Sequence, residues 1–200
     1  MISTLKDLLT SGDTILKIEA VLSGTLSYIF NSFTGKARFS DIVREAKAKG
    51  FTEPDPRDDL GGMDVARKLL ILGREMGMPL ELEDIKVESL MSARSAAAKT
   101  VDDFLEELKK EDALYEKKKE KAERAGHGLR YIATIEKGRA QVSLKSVPST
   151  HPFYQLSGSD NMITFTTKRY KMTPLVVKGP GAGGEVTAAG VFADILRTAL

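Results

Sequence analysis

Five carboxylates fall between positions 53 and 64 of this chain, Glu53, Asp55, Asp58, Asp59 and Asp64, and Lys68 follows the last of them by four positions. Carboxylates gathered in one place can hold an ammonium group or a hard cation, and an amine beside them can pass a proton to or from an oxygen. Pro54 and Pro56 fix φ at alternate positions and bias Glu53 and Asp55 toward extended geometry, so the acidic side chains stand on a stiffened segment. After Gly61-Gly62 the run Met63 to Met76 has helical character, which places Asp64 and Lys68 on one face. An acid four residues before a lysine also stabilises any exposed helix, by roughly 0.2–0.5 kcal/mol, so spacing alone leaves a plain ion pair and a chemical site both standing. The surrounding Val65, Ala66, Leu69, Leu70, Ile71 and Leu72 make the helix apolar around much of its circumference, which predicts that it is largely buried. Buried charges are normally paired or functional.

The elements that would carry these residues can be placed in outline. Ser3 to Leu9 suggests a short helix capped by Ser3, and Thr14 to Leu22, rich in Ile and Val, a strand. Gly24 leads into a helix over Thr25 to Phe33, and Ser40 is expected to cap another over Asp41 to Lys49. Val101 to Arg124 begins with an apolar stripe (Val101, Phe104, Leu105, Leu108) and becomes heavily charged, the pattern of a long solvated helix. The second half favours strands at Leu129 to Ile135, Ala140 to Leu144, Asn161 to Thr167 and Leu175 to Lys178, the first two joined by a turn at Lys137-Gly138. The fold class is therefore α+β, a mixed and largely antiparallel sheet covered by helices. Phe153 and Tyr154 are expected as core or interface anchors, and His127 and His151 in ordinary surface roles.

Composition narrows the function. Two hundred residues can build a proper core, and the absence of cysteine removes disulfides, thiolate metal sites and cysteine nucleophiles. A formal charge of +2 from nearly balanced acids and bases gives no case for nucleic acid. No apolar run is long enough to span a membrane, and a soluble, cytoplasmic protein is expected. The glycine-rich stretch Gly179 to Gly184 precedes a helix, where backbone amides can approach a phosphate. It is neither a Walker loop nor a dinucleotide fingerprint, and a tight turn with close helix packing accounts for it equally well.

The run Phe51-Thr52-Glu53-Pro54-Asp55-Pro56-Arg57-Asp58-Asp59-Leu60, with Gly62 and Asp64-Val65-Ala66-Arg67-Lys68, resembles the substrate-binding motif of the homoserine dehydrogenases. Leu22-Ser23-Gly24-Thr25-Leu26-Ser27-Tyr28-Ile29-Phe30-Asn31 upstream, and Gly179-Pro180-Gly181-Ala182-Gly183 through Val186-Thr187-Ala188-Ala189-Gly190 downstream, agree in order and spacing. With Thr166-Thr167-Lys168-Arg169-Tyr170, the pattern is most similar to the dehydrogenase half of the bifunctional aspartokinase–homoserine dehydrogenases.

That resemblance implies NAD(P)-dependent interconversion of L-aspartate 4-semialdehyde and L-homoserine, on the branch toward threonine, methionine and isoleucine. By motif match, Glu53 and Asp64 would bind the amino and hydroxyl end of the substrate with Asp59 in support, and Lys68 would serve as general acid or base at the carbonyl oxygen. Gly24 and Thr25 would lie near the substrate carboxylate. Phe51 stands where some relatives have tyrosine. Gly181, Gly183 and Thr187 would face the coenzyme. Residues 1–13 would be the end of a nucleotide-binding (Rossmann) domain, 14–178 the catalytic and dimerisation domain, and 179–200 a glycine turn and helix returning to the first domain. On this view the sequence is a piece of the enzyme, inactive alone, that forms a homodimer and belongs to a longer chain with a possible fused aspartokinase, its monovalent-cation site lying outside these residues. Asp55 and Asp58 stay divided between function and helix capping. Two other classes stay open, a divalent-cation site in the acidic loop and a non-catalytic dimerisation module.

Overall fold

In the computed structural model, which describes residues 1–199, helices pack on one face of a six-stranded sheet. Leu200, the last residue of the expected closing segment, lies outside the described residues. Helix α1 (Ile2–Thr10) leads into strand β1 (Ile15–Val21), and then come α2 (Gly24–Ser32), α3 (Phe39–Ala48), α4 (Pro56–Leu60) and α5 (Met63–Glu75). A short edge strand β2 (Lys86–Val87) precedes α6 (Ala93–Ala96), α7 (Val101–Leu108) and α8 (Asp112–Arg124). Strands β3 (His127–Glu136), β4 (Arg139–Pro148), β5 (Asn161–Thr167) and β6 (Leu175–Gly179) complete the sheet, and α9 (Gly184–Ala199) closes the described chain.

The strand order is β2-β4-β3-β1-β5-β6, with every pair antiparallel except β2 and β4. This is the mixed, largely antiparallel α+β arrangement expected from the alternation of β-branched residues. Because β1 is central, its side chains alternate between two environments. Ile18 and Ala20 face the helices, in one core with Leu26, Phe30, Leu69, Phe104, Ile135 and Phe165. Lys17 and Glu19 face the other side, where no helix packs among the described residues. One end of that second face is closed by the 3-10 turn Pro152–Gln155, which sets Phe153 on Val21, Ile132, Val147 and Met162.

Several boundaries differ from expectation for identifiable reasons. Ser3 is not a cap, since α1 starts at Ile2 after Met1. Ser40 lies inside α3 and acts on a different helix: its N–H and hydroxyl donate to the two carboxylate oxygens of Asp112, at 2.8 and 2.7 Å. The segment 101–124 is not one helix. A 3-10 turn at Lys109–Glu111 breaks it, because the apolar face of α7 (Phe104, Leu105, Leu108) and the inward Tyr115 of α8 must both reach the core. Nor is α8 wholly solvated. Lys119 is buried, its ammonium donating to the carbonyls of Gly35 and Ala37, pairing with Glu116 and lying 4.6 Å from the Phe33 ring centroid. Of the expected anchors, Phe153 is fully buried and Tyr154 is exposed.

Candidate active site

A cleft of about 400 Å³ opens where the N-terminus of α2, the acidic loop, α5, the start of β5 and the loop after β6 converge. Into it the fold brings Gly24, Thr25, Phe51, Glu53, Asp59, Asp64, Lys68, Gly181 and Gly183. The expected residues from three distant parts of the sequence therefore share one space. Thr187 is the exception: it sits in the first turn of α9, its N–H bonded to the Gly183 carbonyl, and lines no part of the cleft.

Each wall is set by local chemistry. Ser23 caps α2 by accepting the Leu26 N–H, which aims the first turn of that helix at the cleft. The Thr25 hydroxyl is spent on the Phe51 carbonyl at 2.6 Å, holding the chain after α3 against the helix. Phe51 itself stacks on Tyr28, ring centroids 4.4 Å apart. Lys47 donates to the Pro54 carbonyl at 2.7 Å, and Asp55 caps α4 by accepting the Arg57 N–H. Arg57 grips the same carboxylate with its side chain and reaches the Ala98 carbonyl at 2.6 Å, and its guanidinium holds Asp55 below the usual carboxylate range. Asp55 thus has the structural of its two readings, that of a helix cap. With Asp55 so engaged, no group of three or more acidic or histidine side chains among the described residues is placed to hold a metal ion.

Asp59 accepts the Glu53 N–H at 2.9 Å and so fixes the backbone of the residue that presents Glu53 to the cleft. Burial pushes the Asp59 carboxyl up, against the lowering effect of that hydrogen bond. Helix α5 starts from Gly62 in the left-handed conformation, φ +75°. Asp64 and Lys68 then share the face toward the cleft, Nζ of Lys68 lying 2.7 Å from Asp64 Oδ2 and donating to the Leu22 carbonyl at 2.9 Å. The expectation that this helix is largely buried holds for one side only. Val65, Ala66, Leu69 and Leu72 are buried, whereas the Asp64 and Lys68 side chains are 57% and 44% exposed and Ile71 is exposed as well.

Ser159 and Asn161 also line the cleft, and neither is among the residues expected there. They arrive through the pairing of β5 with β1, a contact between segments about 140 residues apart that no local pattern announces. A second, apolar groove of about 320 Å³ adjoins the cleft, walled by Ile2, Leu22, Ile71, Leu72 and Pro180. Lys68 and Asn161 belong to both cavities. The arrangement pairs a carboxylate-lined polar chamber with a mostly apolar groove and places an amine where they meet.

The family model described as homoserine dehydrogenase matches residues 1–196, and the chain belongs to that family. It is 54% identical over 199 residues to the maize (Zea mays) bifunctional aspartokinase/homoserine dehydrogenase 1, chloroplastic, a match covering 98% of this chain and 22% of that protein. With the homoserine dehydrogenase of Schizosaccharomyces pombe it shares 47% identity, over 98% of this chain and 54% of the relative. A hyperthermophilic archaeal homoserine dehydrogenase solved in complex with NADPH superposes with a TM-score of 0.71 at 26% identity, covering 98% of this chain and 51% of that one. The chain thus spans about a fifth of the bifunctional relative and about half of the single-function ones.

Proposed function

We propose that this chain is the substrate-binding and catalytic region of an NAD(P)-dependent enzyme that interconverts L-aspartate 4-semialdehyde and L-homoserine. The observation that carries this reading is the position of Lys68, at the junction of the carboxylate-lined chamber and the apolar groove. The substrate ammonium meets Glu53 and Asp64, and its carboxylate meets the first-turn N–H groups at Gly24 and Thr25 of α2, where the helix dipole favours a negative charge. Its reacting oxygen then lies toward Lys68. In the direction of reduction Lys68 gives a proton to that oxygen as the carbonyl becomes an alcohol; in the reverse direction it takes the proton back. Asp64, bonded to the Lys68 ammonium, holds it in line, and the Leu22 carbonyl fixes its second direction. Asp59 supports Glu53 and Asp64 by clamping the Glu53 backbone and by adding its charge to the chamber wall.

The residues present fit a nicotinamide: the groove is mostly apolar, and the buried amide of Asn161, packed against Gly181, lines it. When bound, the coenzyme supplies or accepts the hydride. Gly181 and Gly183 would hold it, and Thr187 would act on it from the first turn of α9. The exposed Val191, Phe192, Ile195 and Leu196 of α9 suit packing on a coenzyme-binding domain of the whole protein, to which residues 1–13 would also belong. We place the monovalent-cation site outside these residues.

A second reading concerns assembly. The helix-free side of the sheet, with Lys17, Glu19, Lys145 and the exposed Val176, supports a homodimer formed through the sheet. In the full-length protein a fused aspartokinase fits the reading, that enzyme being named in the maize relative. No helix among the described residues is long and apolar enough to cross a membrane. The cytoplasm is the proposed compartment, and the plastid named for the maize relative is the alternative that imaging of the tagged protein separates.

Calorimetric titration of L-homoserine into the full-length protein and its Asp64→Asn and Lys68→Ala variants tests the function, with L-threonine as control ligand. Saturable binding that Asp64→Asn weakens at least tenfold, together with turnover lost in Lys68→Ala, is the expected result. Homoserine turnover unaffected by Lys68→Ala would remove the assignment.

A further inference from the structure

Asn161 is the first residue of β5, and its side chain is enclosed where the two cavities meet. The residue is only 7% exposed, yet its Oδ1 has no hydrogen-bond partner among the described residues. An acceptor buried without a partner is a cost to the folded state that an arriving donor removes. The neighbouring backbone is shaped around this amide. A Cβ added at Gly181 would stand 1.9 Å from the Asn161 Nδ2, so only glycine lets the loop after β6 lie against it.

Apart from Gly181 and Lys68, the groove that Asn161 enters is lined by the apolar Met1, Ile2, Leu22, Ile71, Leu72 and Pro180. Its occupant must therefore be mostly apolar, with a polar group that an amide satisfies. The carboxamide carries an acceptor and a donor side by side, so Asn161 can accept from one N–H and donate to one carbonyl at once, and a half-turn about its last bond sets which end meets which. A primary carboxamide is the complementary group. We propose that Asn161 recognises the carboxamide of the coenzyme's nicotinamide ring and thereby sets which edge of the ring faces the substrate over Lys68. This assignment rests on the dehydrogenase reading above.

The test compares direct binding of NAD⁺ and NADP⁺ with that of their 3-acetylpyridine analogues, in which a methyl group replaces the amide nitrogen. The full-length protein and its Asn161→Leu and Asn161→Gln variants are titrated by calorimetry, and melting curves confirm that each is folded. Wild type is expected to prefer the natural coenzyme by about tenfold, corresponding to one charge-neutral hydrogen bond. Asn161→Leu should reduce that preference to less than about twofold, and Asn161→Gln should keep part of it. Wild type that binds the amide and acetyl forms equally overturns the assignment whatever the variants do. So does Asn161→Leu that keeps the wild-type ratio, or that weakens L-homoserine binding while leaving the ratio intact, which would give the amide to the substrate instead. Wild type that binds neither coenzyme and does not turn over homoserine defeats the dehydrogenase reading itself, and this assignment with it.

Discussion

A Cβ placed on Gly62 would stand 2.1 Å from the hydroxyl oxygen of Tyr131, so the residue that starts the site-bearing helix and a tyrosine of the central strand β3 compete for one volume. The hydroxyl cannot simply move away, because it donates to the Glu88 carbonyl at 2.6 Å and fastens the segment after β2. The left-handed φ of Gly62 adds a second restriction.

Gly62→Ala should therefore destabilise the protein by roughly 3 kcal/mol, the sum of left-handed strain and overpacking. In thermal denaturation that is a fall of about 10 °C for a chain of this size. Tyr131→Phe removes the clashing oxygen and leaves the nearest ring atom at 3.1 Å. In the Tyr131→Phe background, Gly62→Ala should consequently cost about 1 kcal/mol less, a coupling that a double-mutant cycle measures directly.

Asp59 gives a trade between stability and function. Its folded-state pKa is raised by burial, so its contribution to stability is most favourable below the unfolded value of 3.8 and is lost as pH rises through the raised value. At neutral pH the ionised group is a burden. Asp59→Asn keeps an oxygen that can accept the Glu53 N–H while removing the charge, and should melt at or above the wild-type temperature at pH 7, with a flatter profile above pH 4. The same variant should raise the homoserine KM, because the field around the substrate ammonium weakens.

Glu19, on the helix-free face of the sheet, shows the opposite sign. Burial would raise its pKa, but bonds from His151 and Lys17 outweigh burial and hold the carboxyl at about 2. Its stabilisation is present above the unfolded value of 4.5 and disappears as pH falls through about 2. Wild type should lose on the order of 2 kcal/mol between pH 5 and pH 2 through this group, a loss that Glu19→Gln should lack in urea denaturation at the two pH values.

Arg130 is buried with no ion-pair partner among the described residues, and burial lowers its pKa. Its guanidinium donates to the carbonyls of Leu129, Phe153, Tyr154 and Leu156, tying the 3-10 turn Pro152–Gln155 and the chain beyond it to β3. Asn31 completes the fastening by donating to the Gly158 carbonyl at 2.8 Å, next to Ser159 in the cleft wall. Arg130→Met should cost roughly 3–5 kcal/mol by leaving several buried carbonyls unpaired, and Arg130→Lys should recover only part, since an ammonium lacks the planar fork. Hydrogen exchange should report faster opening over residues 153–160 in both.

The parts of this fold that were legible are those whose signal is local. β5 falls at Asn161–Thr167 as its β-branched alternation indicates, and the Lys137-Gly138 hairpin turn has positive φ at both residues. The Glu53–Lys68 half of the site was legible for the same reason, because loop and helix are consecutive. Illegible features depend on partners far along the chain. Lys119 looked solvated because the carbonyls that receive it belong to Gly35 and Ala37, and Ser40 looked like a cap because Asp112 lies 72 positions away. Asn161 could be assigned to a strand from its neighbours, but its position against Gly181 depends on the pairing of β5 with β1 and β6.

The acidic loop is moored on both flanks, by Lys47 of α3 at Pro54 and by Arg57 reaching across to the Ala98 carbonyl. Lengthening or shortening it would tear two separate attachments, so the reach of its carboxylates is not an adjustable dimension. A protein engineer seeking to admit a longer or bulkier amino acid should therefore leave the loop's backbone alone and exchange the aromatic side chain in the chamber wall, Phe51, which stacks on Tyr28.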